Sequence, residues 1–414
     1  MKVSARSSAA LILAAAVAAA GVLVPAVPAF AQQKQTNSPK LAAPLKAANE
    51  DIKNKKYSDA ITKLREAEGI AGKTPYDQHL INDMLSFAYI KTQNYGEAAK
   101  SMEAELNDGF VPAADVPQKV KALAEINYQQ KNYDKSIEFG NRAIRDGYAD
   151  ETVRTIVGQS YYLKGDWKNT YKFEEGIADA AIKAGQSPSQ ETLMLIYSSC
   201  AKMNDDACMT KAMEKVVTYY PKPDSWAQLL YAVRKETGSN ETNLLQTYRL
   251  MLDTDVLKDP TDYTEMAELA LDGGSPGEAQ HVLEKAQSRN VFTDQRSKER
   301  SQRLLESAKK RATADQAGLP KLEKEADAAT TGEKNVAVGT AYYGYGQYDK
   351  AVDQLTKGVG KGSIKNDANA RLTLGIAQLK AGHKDDAVKT FKSVKGDPSL
   401  ERLANLWSLH ARQA

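Results

Sequence analysis

The sequence predicts an all-α fold, an α-solenoid of about ten stacked helix-turn-helix pairs. A five-residue pattern recurs along the chain: an aromatic residue, two polar residues, a small residue and an aliphatic residue. Successive clear copies are 34 to 38 residues apart, which suits two short helices and their turns. Glycines recur between the helices of several pairs, where a tight turn is needed. The regular spacing of these signals predicts the fold.

Composition and charge narrow the class of protein. The chain has 414 residues, of which 42% are hydrophobic and 26% are charged. These fractions are close to those of ordinary globular proteins, which argues against a disordered or collagen-like chain. The 56 basic and 53 acidic residues leave a formal net charge of +3. Because so small an excess creates no strong positive field, we expect no nucleic-acid partner.

The N-terminal residues carry the features of a secretory signal peptide. Lys2 and Arg6 precede an uninterrupted apolar run of 16 residues, and Ala29 and Ala31 then form a small-residue cleavage site. The run is shorter than the ~20 residues that a membrane-spanning helix needs, and no second run of that length follows. We therefore expect cleavage after Ala31 and no membrane span afterwards. The predicted location is the periplasm, with the extracellular medium as the alternative.

Small residues in the second helix of each pair anchor the repeat. They are Ala60, Ala98, Ser136, Thr170, Ala279, Ala351 and Ala387. A larger side chain there would push the two helices apart where they cross. The first helix needs a small residue at the same crossing, and Gly158, Gly339 and Gly375 each lie twelve residues before an anchor. This pattern resembles the tetratricopeptide repeat (TPR), a helix-turn-helix unit of about 34 residues.

The turn between the helices of a pair is predicted at Gly165, Gly346 and Gly382. Glycine adopts the left-handed conformation of such turns at the lowest cost. Residues 216–226 and 371–382 resemble, more narrowly, a group of exported Gram-negative TPR proteins of mostly unknown role. That resemblance implies a scaffold in the cell envelope, beside machinery of the TonB/ExbB type.

One region departs from the repeat. Residues 297–330 are charged and helix-favouring, and Gly318 and Pro320 are predicted to break them into a helical hairpin. A flexible joint between two halves of the solenoid is the alternative. The predicted domain limits are 1–31 for the signal peptide, 32–40 for a polar linker, 41–296 for TPR-like repeats, 297–330 for the degenerate hairpin or joint, and 331–414 for the C-terminal repeats.

Few residues offer catalytic or metal chemistry. Gly273, Ser275 and Gly277 match the G-x-S-x-G motif of hydrolases, but helical spacing precedes them, which predicts an inter-helix turn and no nucleophile. The four histidines show no i, i+4 spacing, so we expect no metal and no cofactor. An acidic cluster that includes Asp253 and Asp262 lacks the glycine of a calcium loop and is predicted to be a solvated face.

The two cysteines, Cys200 and Cys208, flank a predicted turn. An oxidising compartment would favour a disulfide between them. The alternative is that Cys200 occupies a small core position and stays reduced. Both states are consistent with the sequence, because bond formation depends on geometry.

The first helices of a stacked array line a concave groove, which is the predicted site for a partner. The groove candidates are Phe87, Ile90, Glu125, Tyr128, Gln159, Tyr162, Thr340, Tyr343, Ile376 and Leu379. Tyrosine suits such a groove because it combines apolar area, a hydroxyl group and few rotamers. The alternative is that these tyrosines only pack adjacent pairs together.

The sequence thus favours a non-enzymatic adaptor that binds a protein or peptide partner in the bacterial cell envelope. A peptidoglycan or carbohydrate binder, with tyrosines stacked on sugar rings, is the alternative function. An enzyme site assembled from dispersed carboxylates is the least favoured, because no set of residues with catalytic roles is apparent.

Overall fold

The computed structural model describes residues 37–413, which form twenty α-helices and no β-strand. The predicted signal peptide and residues 32–36 of the predicted linker lie outside the described residues. The chain divides into two compact units, of which one ends at Ala149 and the other begins at Asp150. We call their described parts the N-terminal unit (residues 37–149) and the C-terminal unit (residues 150–413).

The N-terminal unit consists of three helix pairs. Its helices are α1 (Pro39–Lys53), α2 (Tyr57–Glu68), α3 (Pro75–Lys91), α4 (Tyr95–Asn107), α5 (Val116–Gln129) and α6 (Tyr133–Arg145). Each helix packs against the next one along the chain, as short connections between helices require. Because α1 begins at Pro39, the last residues of the predicted linker are helical.

The C-terminal unit consists of six helix pairs and two single helices, α15 and α20. Its helices are α7 (Glu151–Lys164), α8 (Trp167–Lys183), α9 (Gln190–Lys202), α10 (Asp206–Tyr219), α11 (Pro223–Thr237), α12 (Glu241–Asp253), α13 (Pro260–Asp272), α14 (Pro276–Ser288), α15 (Gln295–Ala328), α16 (Glu333–Gly344), α17 (Tyr348–Lys361), α18 (Asp367–Lys380), α19 (Lys384–Lys392) and α20 (Pro398–Gln413). Among the described residues, the nine pairs of both units together come close to the ten that the sequence predicts.

The predicted anchors occupy the crossings of the helix pairs. Fully buried side chains stand at Ala60, Ala98, Ser136, Thr170, Ala279, Ala351 and Ala387. The glycines of the first helices face the second helices, also as predicted. A Cβ atom on Gly158 would lie 1.8 Å from Oε1 of Glu174, and one on Gly375 would lie 2.5 Å from the Phe391 ring. A larger residue would therefore separate these helices.

Most turns within the helix pairs of the C-terminal unit place glycine at positive φ, although the turn between α9 and α10 places Asn204 there, with φ of 55°. In the C-terminal unit Gly165, Gly346 and Gly382 adopt positive φ angles of 83°, 70° and 86°, which confirms the prediction. In the N-terminal unit the corresponding turns hold Gln93 and Lys131, with φ of 60° and 59°. A side chain in this left-handed region costs roughly 1–2 kcal/mol, so the N-terminal turns carry strain that glycine would remove.

The predicted hairpin over residues 297–330 is wrong. Residues Gln295–Ala328 form one helix of 34 residues, α15, which continues through Pro320. Buried residues lie along one face of α15 on both sides of this proline: Ser301, Leu305, Ala308, Ala312, Leu319 and Ala326. Leu305 and Ala308 belong to the main core of the C-terminal unit, and Leu319 packs with residues of α16 and α17. This burial on both sides outweighs the hydrogen bond that a proline removes from a helix.

The main core of the C-terminal unit joins distant parts of its sequence. One continuous cluster of buried residues extends from Ala178 to Ala411 and includes Trp226, Tyr263 and Trp407. The C-terminal helix α20 contacts α12 as well as its neighbours α18 and α19. This unit therefore packs its last helices against helices far earlier in the chain. No helix within residues 37–413 is both long and apolar enough to cross a membrane.

Candidate functional site

The groove candidates of the N-terminal unit lie on α3 and α5. Phe87 is 43% exposed, and its ring forms a T-shaped contact with the Tyr57 ring, with 6.2 Å between the ring centroids. The Nζ atom of Lys91 lies 5.3 Å from the centroid of the same ring. Ile90 is partly buried against the cores on either side of it. Phe87 therefore presents a large apolar side chain to solvent while neighbouring side chains hold its ring.

The two candidates on α5, Glu125 and Tyr128, are half-buried. The ring of Tyr128 lies against Tyr133 at the start of α6, with 6.2 Å between the centroids. An aromatic residue at this place thus packs the two helices of its own pair. The structure supports the packing interpretation for this contact and leaves part of each side chain at the surface.

Gln159 and Tyr162 lie on α7, the first helix of the C-terminal unit. Nε2 of Gln159 donates a hydrogen bond of 2.7 Å to Oε1 of Glu191. The rings of Tyr162 and Trp167 form a T-shaped contact with a centroid distance of 5.0 Å. Both side chains are half-buried and take part in packing between neighbouring helices.

The last four candidates lie inside the C-terminal unit. Ile376 is fully buried in the main core, so its predicted place on an accessible groove is wrong. Tyr343 and Leu379 pack against the same core, and Thr340 donates a 2.8 Å hydrogen bond to the carbonyl of Val336. The reason is tertiary: the face that an open array would expose is covered where α16 and α18 meet α12 and α14.

Polar side chains join these distant helices. Nε2 of Gln246 on α12 donates hydrogen bonds of 2.7 Å to Asn369 and 2.9 Å to Thr373, both on α18. Arg402 on α20 forms ion pairs with Glu214 and Glu236. Residues 120 to 190 positions apart in sequence are thus held against each other. Nothing in the repeat pattern distinguishes these side chains from those of a solvated surface.

A buried ion pair links α12 to α14. Nε of Arg249 donates to Oε1 of Glu278 at 2.7 Å, and Nη2 donates to Oε2 at 2.6 Å. The Arg249 guanidinium also lies over the Tyr343 ring, 5.0 Å from its centroid. The exposed fractions of the two charged side chains are only 3% and 6%. Removal of one partner would leave a buried charge uncompensated, which typically costs about 3–5 kcal/mol.

The prediction that the acidic cluster is a solvated face is wrong for two of its four members, while Asp255 and Asp259 are exposed. Asp262 is buried and accepts a 3.0 Å hydrogen bond from the Tyr231 hydroxyl, and it also pairs with Arg234. Asp253 pairs with Lys380 and lies 3.0 Å from Nε2 of His410. These partners come from other helices, so spacing along the chain did not reveal them.

The cysteine pair is oxidised. Cys200 and Cys208 form a disulfide between α9 and α10, with their Cα atoms 5.4 Å apart. Of the two states that the sequence allows, the structure contains the bonded one. Cys200 is also fully buried in the core, which is the position that the alternative prediction gave it.

The G-x-S-x-G motif is an inter-helix turn, as predicted. Gly273 ends α13, and α14 begins at Pro276. A Cβ atom on Gly277 would lie 2.4 Å from the Tyr345 ring, so close packing explains the second glycine. Ser275 is buried, and no strand precedes it within the described residues. The surroundings of a nucleophile elbow are therefore lacking. The described residues also contain no cluster of His, Cys, Asp and Glu that could hold a metal ion.

The chain is similar to several solved structures of helical proteins. It matches a structure of Naa15/Naa10 bound to HypK-THB at 13% identity and a TM-score of 0.38, with 87% of this chain and 64% of that chain covered. It matches yeast Tom70 at 11% identity and a TM-score of 0.25, with 90% and 96% covered. It matches the maize pentatricopeptide repeat protein PPR10 at 15% identity and a TM-score of 0.30, with 89% and 51% covered.

The chain spans slightly less than two thirds of the length of the first of these structures. No protein-family model matches it, and no curated protein does. The repeated helix pairs, with small residues buried at their crossings, define the chain as a TPR-like helical repeat protein.

Proposed function

We propose that this protein is a non-enzymatic scaffold, exported to the bacterial periplasm, that binds a protein or peptide partner through the N-terminal unit. The observation that carries the proposal is Phe87, a groove candidate with 43% of its surface exposed. Aromatic side chains are enriched at protein–protein interfaces relative to the rest of the protein surface, and they are frequent anchors of binding. The first-helix face of the C-terminal unit is less suited to binding a partner, because Ile376 on that face is buried.

The surroundings of Phe87 support a binding role. Tyr57 and Lys91 contact its ring, which limits the freedom that the ring would lose when a partner binds. Affinity gains from such preorganisation, because less entropy is lost on association. A partner with an apolar side chain beside an acidic one would complement Phe87 and Lys91.

Two features support export. The predicted signal peptide would direct the chain to an oxidising compartment, and the Cys200–Cys208 disulfide is the state expected there. The envelope machinery of the TonB/ExbB type is proposed only from the resemblance of residues 216–226 and 371–382. The absence of enzymatic activity is proposed because the one catalytic motif in the sequence is a turn.

Photo-crosslinking in cells tests the partner and its position. A photo-crosslinking amino acid replaces Phe87 in one strain, and Leu322 on α15 in a matched control strain. Both residues are 43% exposed, so exposure alone would give equal yields. We expect one defined protein adduct from position 87 and none from position 322. Equal adducts from both positions, or none from position 87, would contradict the proposal.

Affinity measurements then separate the two candidate functions. With the crosslinked partner purified, Phe87→Ala should weaken binding by about 30-fold, as expected for an aromatic anchor. Sedimentation with isolated peptidoglycan should show no retention of the protein. Retention that Phe87→Ala abolishes would instead support the carbohydrate-binding alternative and refute the protein-partner proposal.

A further inference from the structure

A cavity of about 390 Å³ lies within the C-terminal unit, between α12, α14, the turn from α16 to α17, and the end of α18. Its volume is within the range of small-molecule sites in proteins. His281 and Lys380 on its rim are exposed, so the cavity is open to solvent. Tyr343, Tyr345 and Tyr348 contribute aromatic side chains to its lining.

Most of the charges that line this cavity neutralise each other. Arg249 pairs with Glu278, and Lys380 pairs with Asp253. Glu284 pairs with Lys309, a residue of α15, with 3.0 Å between Nζ and Oε1. The carboxylates of the lining are therefore already engaged by protein cations.

Lys285 on α14 is the exception. Among the described residues, no carboxylate lies within ion-pair distance of its Nζ atom, although the side chain is half-buried in the cavity lining. Burial and the nearby positive charge of Arg289 hold the pKa of Lys285 below its ordinary value. Asp255, whose negative charge opposes this lowering, is already paired with Arg289. An anion in the cavity would compensate the Lys285 ammonium group.

The tyrosines of the cavity lining restrict the shape of the uncharged part of a ligand. The rings of Tyr343 and Tyr348 are 5.9 Å apart and inclined at 53°, so together they form a corner. Arg249 occupies one face of Tyr343, while Tyr348 is only half-buried. A flat apolar group would gain contact area in this corner without displacing a charged pair.

We propose that this cavity binds a small organic anion, with its carboxylate at Lys285 and a ring or other flat apolar group against Tyr348. Binding would remove the imbalance of charge that the protein leaves at Lys285. The proposal concerns the C-terminal unit alone and does not depend on the partner proposed for Phe87.

Calorimetric titration of the full mature chain with three probes tests the ligand class. Benzoate carries both a carboxylate and a ring, benzamide carries only the ring, and inorganic phosphate carries only charge. We expect saturable binding of benzoate and at least tenfold weaker binding of the other two. No saturation by benzoate below about 10 mM, the weakest affinity reasonable for a ligand of this size, would overturn the proposal. Tighter binding of phosphate than of benzoate would overturn it as well.

Three variants locate the site. Lys285→Met should weaken benzoate binding at least tenfold, since a hydrogen bond to a charged group is lost. Lys285→Arg should keep most of the affinity because it keeps the charge. Lys389→Met is the control, because Lys389 is exposed on α19 and outside the cavity. Equal affinity of Lys285→Met and the parent protein would overturn the assignment.

Chemical protection gives a readout that does not depend on a variant. Acetylation of lysines, followed by peptide mass spectrometry, reports the accessibility of each amine. Saturating benzoate should slow acetylation of Lys285 at least threefold and leave Lys389 unchanged. Unchanged acetylation of Lys285 under saturating benzoate would place the ligand elsewhere and overturn the proposal.

Discussion

The two units of this protein use one repeat in different ways. In the N-terminal unit, side-chain contacts join neighbouring pairs, as between Ser38 and Asp77, which are 39 residues apart. In the C-terminal unit, Arg402 pairs with Glu214 over 188 residues, and Nε2 of Gln413 donates to the Val217 carbonyl over 196 residues. The N-terminal unit has the nearest-neighbour order of a solenoid, whereas the C-terminal unit also connects its beginning to its end.

This difference has consequences for stability and for function. In a solenoid with nearest-neighbour contacts, damage to one repeat is felt mainly by the adjacent repeats. In the C-terminal unit, damage at α20 should reach α10 and α12, which it contacts directly. Within the C-terminal unit Ile376 is also buried, while the N-terminal unit leaves Phe87 exposed. The long-range packing of the C-terminal unit therefore gives it a cooperative core but leaves less of its first-helix face accessible to a partner.

The largest expected effect comes from Trp407→Ala on α20. Trp407 is fully buried in the main core, beside Phe391 at a ring distance of 6.2 Å. Loss of so large a side chain should lower the free energy of unfolding of the C-terminal unit by about 3–5 kcal/mol. Hydrogen exchange followed by mass spectrometry should show faster exchange in α10 and α12 as well as in α20.

A matched control is Trp167→Ala on α8, since Trp167 is only partly buried. Its effect on exchange should be smaller and confined to α7, α8 and α9. If Trp407→Ala accelerates exchange in α20 alone, the C-terminal unit behaves as an open array and the contrast between the units fails.

Two buried carboxyl groups provide a second comparison, one in each unit. Burial raises the pKa of Glu174 in the C-terminal unit and of Glu105 in the N-terminal unit to about 7 in both cases. Because this folded-state pKa lies above the ordinary value of 4.5, the carboxyl makes its full contribution to the free energy of unfolding below pH 4.5, where it is protonated. That support is lost as the pH rises from 4.5 through 7.

Glu174→Gln should therefore stabilise the protein at pH 8 and leave its stability unchanged at pH 4. The expected gain at pH 8 is about 3 kcal/mol, from the difference in pKa between the folded and unfolded chains. Denaturant unfolding of both proteins at both pH values measures it. Glutamine matches the protonated carboxyl in shape, so a gain at pH 4 as large as that at pH 8 would disprove the titration as its cause.

Glu105→Gln should gain about as much at pH 8 as Glu174→Gln does, because the pKa of both carboxyls lies at about 7. Nζ of Lys119 lies 2.9 Å from Oε2 of Glu105, and this ammonium group opposes the rise in pKa that burial causes. Glu174 has no such cation partner among the described residues. In a Lys119→Met background, Glu105→Gln should therefore gain more than in the parent protein, because the pKa of Glu105 would rise further. An equal gain in both backgrounds would show that Lys119 does not stabilise the Glu105 carboxylate.

The smallest expected effect concerns the turns. Gln93→Gly should stabilise the N-terminal unit by about 0.5 kcal/mol, because relief of the left-handed strain exceeds the extra freedom of glycine in the unfolded chain. Gly346→Ala should destabilise the C-terminal unit by about 1 kcal/mol, since its φ is +70° and no atom crowds the position. Thermal unfolding measures the change in stability of both variants. A loss of stability for Gln93→Gly would show that the turn at Gln93 is not strained.

The candidate site was predictable only in part. Phe87 is exposed as the groove prediction requires, because the array of the N-terminal unit places its first-helix face toward solvent. Lys285 and its cavity were missed, since the lining comes from seven helices and the adjoining turn. Neither composition nor residue spacing identifies a lysine whose ammonium group has no ion-pair partner. Ile376 was misplaced because a buried and a groove-facing aliphatic residue look alike in one repeat.

The local structure of this protein follows from its amino-acid pattern alone. Helix pairs, their crossings at residues such as Ala98 and Gly158, and the glycine turns follow from contacts within about 40 residues, which periodicity records. Only the folded chain shows that α15 continues through Pro320 and that α18 and α20 pack against α12. Such contacts depend on the summed geometry of many repeats, and a periodic pattern is the same whether the array closes or stays open.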